Sequence, residues 1–144
     1  MLPQLINYVI TEAKSGGCTY LIDAYCGSGL FSLAAAAASS FSAVIGLEVS
    51  PKAVEAAQRN ASANHRRLSQ ACTVEFLCGK VEALFAEVQV KVVARDTVVI
   101  IDPSRRGCDE SFLSQLIAFS PRKLVYVSCN PDTQARDAKI LTSN

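Results

Sequence analysis

One histidine, one methionine and no tryptophan occur in this 144-residue chain, and none of its six cysteines forms a C-x-x-C pair. A zinc site draws its ligands from Cys and His clustered at short spacing, so no metal centre is expected. Charge is scarce as well: 19% of the residues are Asp, Glu, Lys or Arg, and the formal net charge is +1. Such a chain has no overall positive field for coating nucleic acid, so any RNA contact must come from a local patch or from parts outside this sequence. No apolar run approaches the ~20 residues of a membrane span. Residues 2–10 carry Pro3, Gln4 and Asn7 and no basic lead-in, so they do not read as a signal peptide. Cys18, Cys26, Cys72, Cys78, Cys108 and Cys129 are therefore expected to be reduced thiols in an intracellular compartment, which the sequence leaves unnamed.

What the sequence does have is one core. Half its residues are hydrophobic, enough for a single domain of this length. The chain is organised around residues 20–38, YLIDAYCGSGLFSLAAAAA. An apolar run reaches Asp23, two glycines follow at Gly27 and Gly29, and an alanine-rich segment of high helix propensity comes next. A strand, a glycine turn and a helix N-terminus form a nucleotide-binding unit. A nicotinamide dinucleotide would call for G-x-G-x-x-G, but Ser32 holds the third glycine position. Asp23 would repel a phosphate and attract an ammonium. An adenosine joined to a cationic amino-acid tail, as in S-adenosylmethionine, suits both features better.

Apolar spacing predicts an amphipathic helix over residues 3–14, stopped by Ser15-Gly16-Gly17. Ser39 and Ser40 are expected to close the alanine-rich helix. A second strand, residues 43–47, ends at Glu48, which lies 19 residues past Gly29, near the offset at which an acidic residue holds ribose hydroxyls. Ser50-Pro51 reads as an N-cap and first helical position, and that helix runs to about Asn64. Arg66 and Arg67 beyond it are read as a solvated helix end. Strands are expected at 73–77, at 97–101 with burial on both faces, and at 123–128. Val81, Leu84, Phe85 and Val88 mark one helix and Phe112 to Phe119 another; Asn130 and Pro131 cap and start the last. The alternation implies a parallel, doubly wound α/β sheet with every unusual strand-end residue on its carboxyl edge.

DAYCGSGLFSL (residues 23–33), DPSRRGCDE (102–110) and VYVSCNPDTQARD (125–137) resemble the three signature stretches of the RNA uracil-5-methyltransferases, most closely the eukaryotic tRNA branch. The resemblance implies a Rossmann-like class I methyltransferase fold that uses S-adenosylmethionine to form 5-methyluridine in RNA, tRNA above all. It implies Cys129 as the nucleophile that adds to C6 of uracil, placed before a helix N-terminus whose N–H groups favour an anion. It implies cofactor contacts from Tyr25, Gly27, Gly29, Leu30, Glu48, Lys80 and Asp102, and a substrate contact from Arg105. Three positions depart from the family pattern: Leu30 stands for asparagine, Lys80 for Asp or Asn, and Ser104 for the second proline of D-P-P-R.

The same resemblance places the general base at a glutamate well beyond S-C-N-P and a cofactor-binding glutamine upstream of Met1. Residues 1–144 are accordingly expected to be one methyltransferase domain, incomplete at its C-terminus and truncated after the fifth strand, and inactive in turnover by itself. Asp132 and Asp137, the carboxylates after Cys129, are expected to be first-turn residues favoured by the helix dipole. The alternatives are a non-catalytic S-adenosylmethionine-binding or interaction module and, more distantly, a nicotinamide oxidoreductase. Oligomeric state is not legible.

Overall fold

A computed structural model describes residues 2–38 and 40–143. Five strands form one parallel sheet in the order β3-β2-β1-β4-β5: β1 Tyr20–Ala24, β2 Ala43–Glu48, β3 Thr73–Cys78, β4 Thr97–Ile101 and β5 Lys123–Tyr126. Four α-helices connect them, α2 Leu30–Ala37, α3 Pro51–Ala63, α4 Val81–Val88 and α5 Glu110–Phe119, with α1 Leu2–Lys14 before the first strand and α6 Pro131–Thr142 after the last. Ser50 caps α3, its side chain accepting from the Ala53 N–H at 3.3 Å, and Pro51 opens that helix. Ser39 lies outside the described residues.

Alternation along the strands sends successive side chains to opposite faces. Leu21, Val44, Val98 and Ile100 pack with α1 and α2, while Cys26 and Phe76 pack with Val54 and Ala57 of α3. Ile22, Ala24, Ile45, Leu47, Val99 and Ile101 pack with α4 and α5 on the other face, and α6 joins them through Leu141. All five residues of β4 are buried, as expected for a central parallel strand. The order in which strands are added reverses between β1 and β4, so a crevice forms outside their carboxyl ends.

β3 runs one residue further than the sequence reading, to Cys78, and two other strand boundaries differ from it for hydrogen-bonding reasons. The first strand continues to Ala24, which puts Asp23 inside it, facing α2. The fifth ends at Tyr126 rather than 128. Val127 still donates to the Ile101 carbonyl at 2.8 Å, but Ser128 turns to its own loop, its Oγ accepting from the Asn130 N–H at 2.9 Å. Gly46 inside β2 answers to packing: a Cβ there would lie 2.6 Å from Phe76 Cδ1 and 2.8 Å from Cys26 Sγ.

Candidate functional site

The glycine turn is held from below by Glu48. Its Oε1 accepts from the Gly27 N–H at 3.0 Å and its Oε2 from the Ser50 N–H at 2.8 Å, while its carbonyl accepts from Gly79 at 2.9 Å. One residue at the end of β2 thus joins three loops, two through its carboxylate and one through its carbonyl. Both carboxylate oxygens keep lone pairs for further donors such as ribose hydroxyls. Gly27 has φ +56° and Gly29 φ +88°. A Cβ at Gly27 would meet nothing within 4 Å, so the turn faces open space there, whereas at Gly29 it would press on Phe76 at 3.0 Å. Tyr25 also has a positive φ, +61°, a strained choice for a bulky residue. Its ring is held edge-on against Phe112, with centroids 5.7 Å apart.

Ser32, which displaced the third glycine, donates from Oγ to Asp23 Oδ2 at 2.6 Å. Both side chains are fully buried, and Asp23 Oδ1 has no hydrogen-bond partner among the described residues. Burial pushes the Asp23 carboxyl up to about 7; Ser32 opposes the rise, and the charges of Asp102 and Glu48 add to it. Between about pH 4 and 7 the unfolded chain has released this proton while the folded chain retains it. The unfolded state then binds fewer protons, so stability falls as pH rises through that window. We expect the melting temperature to fall between pH 5 and 7.5, and the Asp23→Asn chain to lose most of that decline. An unchanged slope in the variant would assign the decline to other groups.

Asp102 follows β4 directly, its N–H reaching the Ala24 carbonyl at 3.4 Å, and burial raises its carboxyl above the ordinary range. The loop after it meets the loop after β5: Asn130 Nδ2 and Thr133 Oγ1 each donate to the Arg105 carbonyl at 3.0 Å. These contacts bring Cys129, exposed at the head of α6, beside the Asp102 loop with the Arg105 side chain also exposed. Tyr25, Ser104, Arg106, Cys108 and Arg136 line an adjoining cavity of about 390 Å³. Lys80 is exposed at the head of α4 and does not cap it. Leu30 lines a different groove, of about 340 Å³, with Leu33, Ala37, Asn64 and Arg67 between α2 and the end of α3. Leu30 is the first residue of α2, directly after the Gly29 turn.

Burial raises the thiols of Cys18, Cys26 and Cys72, and that of Cys108 to about 11. Cys78 and Cys129 are the exposed cysteines. One expectation is overturned. Asp137 is the seventh residue of α6, not a first-turn carboxylate, and is fully buried. Burial alone would raise its carboxyl, but the Cys108 N–H, the Tyr126 hydroxyl and the Arg136 guanidinium together hold it below the usual range. The spacing of Asn130, Thr133 and Asp137 along one helix face was visible in the sequence, but their partners 25 to 29 residues away were not.

The family model described as tRNA (Uracil-5-)-methyltransferase matches residues 1–144. The tRNA (uracil(54)-C(5))-methyltransferase of Schizosaccharomyces pombe is 44% identical over 124 residues, 86% of this chain and 22% of that protein. The Saccharomyces cerevisiae protein of the same name is 45% identical over 120 residues, 83% of this chain and 17% of that one. This chain therefore spans about a fifth of the length of those curated relatives. The crystal structure of Pyrococcus abyssi tRNA (uracil-54, C5)-methyltransferase in complex with S-adenosyl-L-homocysteine superposes with a TM-score of 0.76 at 28% identity, covering 96% of this chain and 31% of that one. With the three signature stretches on one sheet edge and the family match running the whole length, the chain belongs to the tRNA (uracil-5-)-methyltransferase family.

Proposed function

We propose that residues 1–144 carry the cofactor site and the nucleophile of an enzyme that methylates C5 of uridine in RNA, with tRNA as substrate. The observation that carries this reading is the docking of Asn130 and Thr133 on the Arg105 carbonyl, which sets Cys129 beside the loop of Asp102. The residues of the strand edge fit S-adenosylmethionine. Gly27 leaves room for a ligand against the backbone, Glu48 retains acceptor capacity, and Asp23 Oδ1 is a buried acceptor without a donor among the described residues, suited to a cationic amino-acid tail. When bound, the cofactor supplies an electrophilic methyl on a sulfonium.

C5 of uracil is a weak nucleophile until something adds at C6. In the proposed sequence the Cys129 thiolate forms a bond to C6, and the C5–C6 π electrons shift toward O4 as an enolate. C5 then takes the methyl as the enolate electrons form the new C–C bond, and the broken carbon–sulfur bond leaves its electron pair on sulfur as a neutral thioether. A base removes the C5 proton, the electron pair re-forms the C5–C6 double bond, and Cys129 leaves as thiolate. Arg105 is suited to hold an RNA phosphate or the extruded base.

Release needs a base near C5, which we propose is neither Asp132 nor Asp137. Asp137 is buried and fully engaged, so it is not free to act as the base, while Asp132 lies exposed in the first turn of α6. Incubation with unmodified tRNA and radiolabelled S-adenosylmethionine tests both halves of the reading. The expected result is a small amount of labelled RNA attached to protein through denaturation, with at most one methyl per chain. More than one methyl per chain would show that no further base is needed. RNA that never acquires label would remove the methyltransferase reading for this chain.

A further inference from the structure

We infer that Asp137 is a positioning residue for Cys129, a role that rests on the reading of Cys129 as nucleophile. The carboxylate is buried where three elements meet, and both its oxygens are used. Oδ2 accepts from the Cys108 N–H at 2.8 Å and from the Tyr126 hydroxyl of β5 at 2.6 Å. Oδ1 accepts from Arg136 Nε at 3.1 Å and Nη2 at 2.9 Å. Arg136 Nη2 also donates to the Arg106 carbonyl at 2.8 Å. The loop after β4 is thereby tied to α6 at Arg105, Arg106 and Cys108 by Asn130, Thr133, Arg136 and Asp137.

The closeness of that docking depends on Gly107. Its φ is +80°, and a Cβ there would lie 2.6 Å from both Arg136 Nη2 and Asp137 Oδ2. A loop this tightly held has one register against α6, and Cys129 directly precedes the Asn130 cap of that helix. The gap between the nucleophile and the Asp102–Arg105 side of the cleft is therefore set by contacts made two turns further along α6. Asparagine at 137 would keep the volume but present an amide N–H to donors on one side, either to Cys108 and Tyr126 or to Arg136. Small displacements of reacting groups cost large factors in rate.

The lock can be read without RNA or cofactor. In an Arg105→Cys chain, a short bismaleimide should join the new thiol to Cys129, as resolved by peptide mapping, and adding Asp137→Asn should lower that yield at least about five-fold. Tyr126→Phe, which removes one donor and leaves the carboxylate, should lower it less and serves if the asparagine variant does not fold. In chains that retain Arg105, Asp137→Asn should slow covalent RNA capture at saturating tRNA by about ten-fold or more while leaving the half-saturating tRNA concentration unchanged. An unchanged cross-link yield in a folded variant overturns the inference, as does a lowered yield with an unchanged capture rate. If the unaltered chain captures no RNA but its cross-link depends on Asp137, the lock stands and Cys129 is not the nucleophile, which overturns the positioning role.

Discussion

Replacing Cys129 by alanine is expected to abolish covalent capture of RNA and to lower methyl transfer on the order of a thousand-fold or more, the scale seen when a covalent nucleophile is removed. Cys78→Ala, which alters the other exposed thiol, should leave both unchanged. The contrast is informative because the remaining thiols are at least partly buried and held above their ordinary pKa by that burial. Cys129 sits ahead of the Asn130 cap, whose side chain accepts from the Asp132 N–H at 3.1 Å, so its backbone is fixed even though the side chain is open. The measurement is label retained on protein after denaturing electrophoresis with radiolabelled tRNA. Capture that survives Cys129→Ala and disappears in Cys78→Ala would move the nucleophile to the end of β3.

Phe112→Ala is expected to cost about 3–5 kcal/mol of folding stability, the usual penalty for emptying a buried phenylalanine site. Phe112 is fully buried at the middle of an edge-to-face series. Its ring lies 5.7 Å from that of Tyr25 and 5.3 Å from that of Phe85, which in turn lies 5.3 Å from Phe119. Each such pair adds roughly 0.5–1.5 kcal/mol beyond area burial. Against a total of about 5–15 kcal/mol for a domain, the loss brings the chain close to unfolding. The effect also reaches the site, because Phe112 is what the strained Tyr25 leans on. Urea melts of the two chains measure the loss, and a difference below about 1 kcal/mol would show that the neighbours collapse into the space. Phe112→Leu, which refills much of the volume, should recover part of the stability.

Fold class, strand and helix order and the gathering of the unusual residues on one sheet edge were legible in the sequence. Helical and strand periods are local properties, and Val81, Leu84, Phe85 and Val88 all fall on the buried face that their spacing predicts. Turn and cap chemistry is local too. The positive φ at Gly27 and Gly29, Ser50 before Pro51 and Asn130 before Pro131 each follow from what those residues can do within three positions of themselves. Membership of the family was legible because its three signature stretches are contiguous.

Tertiary structure alone decided which side chains those stretches meet. Glu48 accepts a hydrogen bond from Gly27, 21 residues back. Ser32 reaches Asp23 and leaves one buried oxygen over, Leu30 lines the α2–α3 groove, and Gly46 is required by Phe76 on the next strand. Asp137 was expected as a first-turn carboxylate favoured by the helix dipole and is the buried tie between β5, α6 and the loop before α5. Spacing within a helix can put Asp137 on a face but cannot say what that face will touch. Its partners are fixed by the register of β4 against β5 and by a glycine that lets two loops close, and both are outcomes of packing the whole chain.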